Sequence, residues 1–285
     1  MPELPEVETI RRQLAPLVEG RTFERVEILD PRWCRPAQPA VVAHALRGRQ
    51  VERLSRRGKY LVWELNGDLF LLGHLRMTGT LLYDPAADPT HTRVTIALDD
   101  GHRLVYVDPR RFGTGELALG RGALERFLGA RVGVEPFDAE FTTDHLRGLM
   151  RERRAPIKAF LLDQRRVAGV GNIYADEALF RARVHPMRPA GRLTRQQVDA
   201  LREAIVETLA AGIDAGGSTI DDFRDVEGVA GSFQNEFLVH TRAGDPCPRC
   251  GATIVKFVAA GRGTYACESC QPRPRRPRAR AARVG

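Results

Sequence analysis

Four cysteines near the end of the chain constrain its folding more than any other feature. Cys247 and Cys250 in "CPRC", and Cys267 and Cys270 in "CESC", are separated by sixteen residues. The pattern C-x2-C-x16-C-x2-C, in a chain with no sign of secretion, is the spacing of a structural tetrahedral zinc site whose thiolates sit on two tight turns. The segment between the pairs must double back. Apolar "TIVKFVAAG" on one side and "TYAC" on the other predict a β-hairpin with Arg262 near its tip. The fifth cysteine, Cys34 in "RWCRP", has no activating histidine nearby and reads as a bystander.

The 285 residues suffice for two domains. No apolar run reaches the roughly 18 residues of a membrane span, and the acidic, amphipathic start is unlike a signal peptide, so the expected compartment is the cytoplasm. The net charge is +8, but the last fifteen residues hold six arginines and no acid, leaving about +2 on the other 270. A body so nearly balanced can bind a polyanion only by concentrating its cations on one face. The Pro/Arg-rich end reads as disordered. Of 44 basic residues only three are lysines, at 59, 158 and 256. A position that stays lysine in an arginine-rich chain invites a role for a compact or titratable amine.

Hydrophobic spacing divides the chain. Residues 3–18 predict an amphipathic helix with Pro5 in its first turn and Val7, Ile10, Leu14 and Leu17 on its apolar face. Alternating runs follow, with Asn66-Gly67 and Asp100-Gly101 placed as hairpin turns. From Thr142 the pattern turns helical. "TTDHLRGLMRERRAPIKAFLLDQ" and "IYADEALFRARV" are periodic, and "TRQQVDALREAIVETLAAGI" opens with a capping box, Thr194 to Gln197. The expectation is a multidomain α+β protein. A β-rich domain led by one helix spans 1–135, a helical domain 136–236, the cysteine module 237–271 and an Arg-rich tail 272–285.

Three constellations bear chemistry. "HLRMTG" around Met77 and "DPRRFG" with Arg110 and Phe112 could supply a wedge to a nucleic-acid stack, an arginine entering the space of a displaced base. Read alone, Met77 and Phe112 are more often plain core residues. In "VAGVGNIYADEAL", Gly169, Gly171 and Asn172 precede a helix, as at a phosphate site or at an ordinary helix cap. Arg262 could read a phosphate from its hairpin tip.

The chain opens "MPELPEVE". Removal of Met1 is expected before a small second residue and would leave Pro2 as a secondary amine. An α-amino group has a pKa of about 8, and the positive end of a helix dipole favours its neutral, nucleophilic form. Condensed with the anomeric carbon of a sugar, that amine gives an iminium, cationic at every pH, which acidifies the C2′ proton and lets a 3′ phosphate leave by elimination. Glu3 could act as general acid, Glu6 could fix geometry, and Lys59 in "RRGKYL" offers a compact cation. The same residues also suit a plain acidic helix N-terminus.

"MPELPEVE", "RRGKYL", "HLRMTG", "DPRRFG", "VAGVGNIYADEAL" and the two cysteine pairs with "GRGTYAC", in this order, resemble the bacterial formamidopyrimidine-DNA glycosylase family from Met1 to about Gln271. The resemblance implies a β-sandwich, a helix-two-turn-helix domain and a zinc finger around damaged double-stranded DNA. It implies a monomeric base-excision repair enzyme that removes oxidised purines and nicks the strand by β,δ-elimination, with one structural zinc ion on Cys247, Cys250, Cys267 and Cys270. By position, Pro2 matches the Schiff-base nucleophile, Glu3 the general acid, Lys59 the lysine of lesion recognition and β-elimination, and Arg262 the arginine of phosphate binding and δ-elimination. Met77, Arg110 and Phe112 match the void-filling and wedge residues. Asn172, His91 and Arg154 match DNA contacts, and residues 218–234 the lesion-capping loop.

The chain departs from the family at His240-Thr241, where Tyr-Gly is more usual, and slightly in "TYAC". Two other readings stand beside this one: an endonuclease VIII-like glycosylase for oxidised pyrimidines, against which Leu4 and "DPRRFG" argue, and a non-catalytic zinc-dependent DNA-binding protein, which would have no need of Pro2.

Overall fold

Residues 1–220 and 223–274 are described by the structure, a computed structural model. The Arg-rich stretch from 275 onward, read as disordered, lies outside the described residues.

Helix α1 (Leu4–Val18) buries Val7, Ile10 and Leu14 as its spacing predicts. Leu17 does not follow; it is 36% exposed and Val18 takes the buried place. At 3.6 residues per turn position 18 lies closer to the line through 7, 10 and 14 than position 17 does.

Eight strands follow, with two short helices among them: β1 (Phe23–Ile28), α2 (Pro39–Leu46), β2 (Val51–Arg57), β3 (Tyr60–Leu65), β4 (Leu69–His74), β5 (Thr80–Tyr83), β6 (Thr92–Leu98), β7 (Arg103–Val107), β8 (Thr114–Leu119) and α3 (Arg121–Gly129). They form two four-stranded antiparallel sheets, ordered β1-β6-β7-β5 and β2-β3-β4-β8. Asn66-Gly67 and Asp100-Gly101 are the expected hairpin turns, between Leu65↔Leu69 and Ala97↔Arg103. The sheets share one core, to which Val26, Ile96 and Leu104 contribute from one side and Leu54, Leu61 and Trp63 from the other, with the apolar face of α1. On the far face of β3 and β4, Val62, Phe70 and Leu72 pack on Leu124 of α3. Burial on both faces is why these two strands read as a nearly continuous apolar run. The domain therefore carries three helices where the sequence pattern predicted one.

The helical lobe holds α4 (Thr143–Met150), α5 (Ile157–Leu162), α6 (Asn172–Arg181) and α7 (Arg195–Asp214). The periodic run over 142–164 is two helices: α4 ends where Arg151 turns extended and Glu152 takes φ +60°, and Pro156 then sits at the N-cap of α5. The Thr194–Gln197 capping box at α7 forms in both directions, Thr194 N to Gln197 Oε1 at 3.1 Å and Gln197 N to Thr194 Oγ1 at 3.2 Å. The cysteine module adds the hairpin of β9 (Val255–Ala259) and β10 (Arg262–Ala266), with Arg262 beside its Ala260-Gly261 tip.

The two lobes exchange core residues. Leu4, the first residue of α1, is buried in the helical core with Ile173 and Tyr174. In return Phe223 and Val226, from the loop after α7, enter the sandwich core.

Candidate active site and nucleic-acid interface

The start of α1 is sealed between the lobes. Pro2 is buried, Glu3 and Glu6 are 1% exposed and Lys59 is 5% exposed. Leu4 N donates to Gly169 O at 3.0 Å, and Ile173 N, in the first turn of α6, donates to Glu3 Oε1 at 3.0 Å. The two glycines before α6 make room for this. Gly169 has φ +79° and a Cβ there would meet Leu4 at 2.5 Å, while a Cβ at Gly171 would collide with the Glu3 carboxyl group. The glycine-rich turn thus seats the chain's own carboxylate at a helix N-terminus, a use the sequence offered only as a phosphate site or a cap.

Glu6 ties three elements. Its Oε2 accepts Glu3 N at 2.8 Å, and its Oε1 accepts Tyr174 OH at 2.8 Å, Ser218 N at 2.7 Å and Ser218 Oγ at 3.0 Å. Neither Tyr174 nor Ser218 could be assigned to Glu6 from sequence, being 168 and 212 residues away.

Lys59 occupies the β2–β3 turn, whose Gly58 amide is held by Glu135. Glu135 also pairs with Arg56, 3.0 Å away, so this acid fixes the loop that delivers the lysine. Burial pushes the Lys59 amine below its ordinary value, opposed by the Glu3 and Glu6 carboxylates and assisted by Arg262. Burial likewise pushes Glu3 up, opposed by Lys59 and reinforced by Glu6. Glu3 Oε2 is buried and has no hydrogen-bond partner among the described residues. A carboxyl group biased toward its protonated form, with one oxygen uncommitted, is equipped to hand over a proton.

A second group gathers around Asp108, which is 1% exposed. Its Oδ1 accepts Thr78 Oγ1 at 2.5 Å and Arg110 N at 3.2 Å, and its Oδ2 accepts Gly113 N at 2.8 Å. Its amide donates to His91 O at 3.1 Å. One buried carboxylate thus organises the loops of Met77, His91 and Arg110. Arg111, with φ +60°, turns away to pair with Asp30 at 2.5 Å. Arg110 stays outward with its guanidinium 5.0 Å from the centre of the Phe112 ring. Phe112 is 53% exposed and Met77 half-buried, so Phe112 at least is no core residue.

Asn172 donates from Nδ2 to Gly263 O of β10 at 3.0 Å, joining α6 to the finger. Arg262 is exposed at the hairpin tip, within electrostatic reach of Lys59. Arg154 is placed apart from this cluster, in a groove it lines with Arg188, Arg192, Phe257 and Arg273.

The cysteine sulfurs of Cys247, Cys250, Cys267 and Cys270 lie within 4.8 Å of one another, with Cys247 to Cys270 at 3.9 Å and Cys250 to Cys267 at 3.5 Å. Zinc–thiolate bonds of about 2.3 Å in a tetrahedron require sulfurs about 3.8 Å apart. The four residues fit one structural zinc ion. The His240-Thr241 departure also has a physical meaning, since Thr241 has φ +63°, where glycine is favoured.

A β-sandwich and a helical lobe that jointly bury an acidic N-terminal segment beside a lysine of the β2–β3 turn, with a four-cysteine zinc hairpin alongside, have the layout of a zinc-finger DNA repair enzyme. Three family models cover most of the length: the formamidopyrimidine-DNA glycosylase N-terminal domain over 1–115, the formamidopyrimidine-DNA glycosylase H2TH domain over 132–224, and a zinc finger found in FPG and IleRS over 244–273. The chain belongs to the formamidopyrimidine-DNA glycosylase family. It is 45% identical over 274 residues to the formamidopyrimidine-DNA glycosylase of Chloroflexus aurantiacus, covering 95% of this chain and 98% of that one. With the Symbiobacterium thermophilum enzyme the identity is 47% over 277 residues, covering 96% and 90%. A Lactococcus lactis FPG mutant in complex with Fapy-dG-containing DNA superposes with a TM-score of 0.89 at 37% identity, covering 95% of this chain and 100% of that one. The Thermus thermophilus FPG superposes with a TM-score of 0.85 at 43% identity, covering 95% and 98%.

Proposed function

We propose that this chain is a bifunctional DNA glycosylase and AP lyase of base-excision repair, acting on 8-oxoguanine and formamidopyrimidines in double-stranded DNA. The observation that carries the reading is the burial of Pro2, Glu3 and Lys59 together where the two lobes meet, with Arg262 within electrostatic reach of Lys59. With Met1 removed, the Pro2 nitrogen attacks C1′ of the damaged nucleotide, and a C–N bond forms as the bond to the base breaks. The nitrogen gives up its proton, the C1′–O4′ bond then breaks with the ring oxygen leaving as a hydroxyl, and the nitrogen lone pair completes the iminium. Glu3 supplies the proton to the departing base or the ring oxygen. The resulting iminium draws electrons from C2′, so loss of the C2′ proton expels the 3′ phosphate. A second elimination then expels the 5′ phosphate held by Arg262. Lys59 supplies a compact cation for the lesion and the first elimination. Arg110 takes the place of the extruded base with Phe112 and Met77 filling the stack, while His91, Asn172 and Arg154 hold phosphates. The loop of residues 218–234 covers the lesion; residues 221 and 222 in it lie outside the described ones. Zinc holds the hairpin and takes no part in the reaction.

The same reading assigns 1–135 to nucleophile and wedge, 136–236 to the duplex and 237–271 to the finger, in a monomer working in the cytoplasm. Among the described residues no helix is long and apolar enough to cross a membrane.

Borohydride trapping on a duplex with one 8-oxoguanine opposite cytosine tests the proposal. The expected product is a covalent adduct on the Pro2 nitrogen, absent from protein that retains Met1. A stronger adduct with an oxidised-pyrimidine duplex would move the chain to the endonuclease VIII-like reading. Lactococcus lactis FPG has been solved with oxidised-pyrimidine DNA as well, which makes the comparison informative. Binding without an adduct, in protein lacking Met1, would leave only a DNA-binding scaffold. The wedge has its own test. Phe112→Ala should change stability by about 0.5 kcal/mol or less, as for an exposed side chain, while slowing excision about tenfold or more. A melting temperature lowered by several degrees would return Phe112 to a structural role.

A further inference from the structure

Lys158, one of only three lysines, is fully buried on α5. Its ammonium donates to Asp176 Oδ1 at 2.7 Å, to Thr264 Oγ1 at 2.8 Å and to Gly263 O at 3.3 Å. Asp176, on α6, is also fully buried. Its second oxygen, Oδ2, lies 2.9 Å from His240 Nδ1 and 3.4 Å from the donating amide of Tyr265. Asn172 adds its bond to Gly263 O from the same helix. Residues 263–265, which follow Arg262 directly, are thereby gripped by α5, α6 and the segment entering the finger.

The tip of the hairpin has no such support. Ala260 and Gly261 both take positive φ, and nothing lies within 4 Å of a Cβ built at Gly261. Among the described residues Arg262 has no ion pair, so its direction is set by the backbone that carries it. Geometry of the guanidinium toward the reacting phosphate therefore depends on the clamp behind it.

We propose that Asp176 is a positioning residue for Arg262, acting through Lys158 and Thr264 to aim the guanidinium for the second elimination. The inference rests on Arg262 serving δ-elimination, as read above. Asp176 is suited to the role because it is the sole carboxylate hydrogen-bonded to the Lys158 ammonium among the described residues, and it bonds the finger from both ends, at His240 and at Tyr265. Without its charge the lysine would be a buried cation with no counter-ion, and the hold on Thr264 and Gly263 would loosen.

The test compares wild type, Asp176→Asn, Thr264→Val and Arg262→Ala in single turnovers at saturating DNA, with zinc content measured for each. The substrates are an 8-oxoguanine duplex and a duplex with a preformed abasic site. Asp176→Asn and Thr264→Val should retain zinc and base excision, while the ratio of δ- to β-elimination product falls about tenfold or more, following Arg262→Ala. Thr264→Val removes one acceptor of the Lys158 ammonium while keeping the Lys158–Asp176 ion pair, and decides the matter if Asp176→Asn loses zinc. An unchanged product ratio in zinc-loaded Asp176→Asn or, failing that, Thr264→Val overturns the proposal. An unchanged ratio in Arg262→Ala overturns instead the role read for Arg262, and the two failures are told apart by that control.

Discussion

Glu3→Gln should lower base excision by about 10²- to 10⁴-fold, the usual worth of a general acid, and leave cleavage of a preformed abasic site far less affected. Glutamine keeps the oxygen that accepts the Ile173 amide, so the helix start stays seated. It loses the acidic proton and the negative charge beside Lys59. The pH profile should carry the same signature. Glu3 is held above the ordinary carboxyl value of 4.5 by burial, so wild-type excision should fall as pH rises through that elevated value and the acid ionises. On the other side, excision should fall at low pH as the Pro2 amine is protonated. Along the Glu3 limb stability should fall together with activity as pH rises. A carboxyl group whose pKa is raised by folding contributes stability fully present below 4.5 and lost as pH rises through the folded-state value. Glutamine never ionises, so Glu3→Gln should melt at a higher temperature than wild type at neutral pH. Equal loss of excision and abasic-site cleavage would contradict the assignment of Glu3 as acid for the first step.

Stripping the zinc ion, by chelation or by Cys267→Ser, should abolish the second elimination and most duplex affinity. Structural zinc supplies on the order of 10 kcal/mol to small zinc-finger modules, and beside it this one has the polar clamp of Lys158 and Asp176 on β10 and modest apolar support. Its own apolar cluster is small, with Val239, Ile254, Cys247 and Cys267 gathered on Phe180 of α6. Gln271 adds an anchor, donating to Val184 O at 2.9 Å and accepting the Cys267 amide at 3.0 Å. The sandwich and the helical lobe have separate cores and should keep their far-ultraviolet circular dichroism. The expected state is a two-lobed protein with a loose tip, still able to form the borohydride adduct at high DNA concentration. Loss of all helical signal on chelation would mean that zinc supports the entire fold.

Much of this architecture could be read from the sequence because the signals were local. The cysteine spacing, the Asn66-Gly67 and Asp100-Gly101 turns, the hairpin under Arg262 and the capping box at Thr194 each involve residues close in the chain. What escaped is long-range. Helices α2, between two strands, and α3, directly after β8, are short, and eight or nine residues are too few to establish a period. Asp108 stood inside a motif whose arginines drew attention, yet it is the buried acid that builds the loop. Lysine scarcity singled out Lys158, but its partners at 176 and 264 come together only in the fold. The glycines before α6 have a steric purpose legible only once Leu4 and Glu3 are seen lying against them.

The exchange of core residues between the lobes has a consequence for how activity arises during synthesis. Leu4 is satisfied only when the helical lobe exists, and Phe223 with Val226 complete the sandwich only after more than two hundred residues have been made. The burial that biases Glu3 and Lys59 is absent until both halves have docked. A ribosome-bound nascent chain therefore lacks the enclosure around Glu3 and Lys59, which is acquired only by assembly of the two lobes.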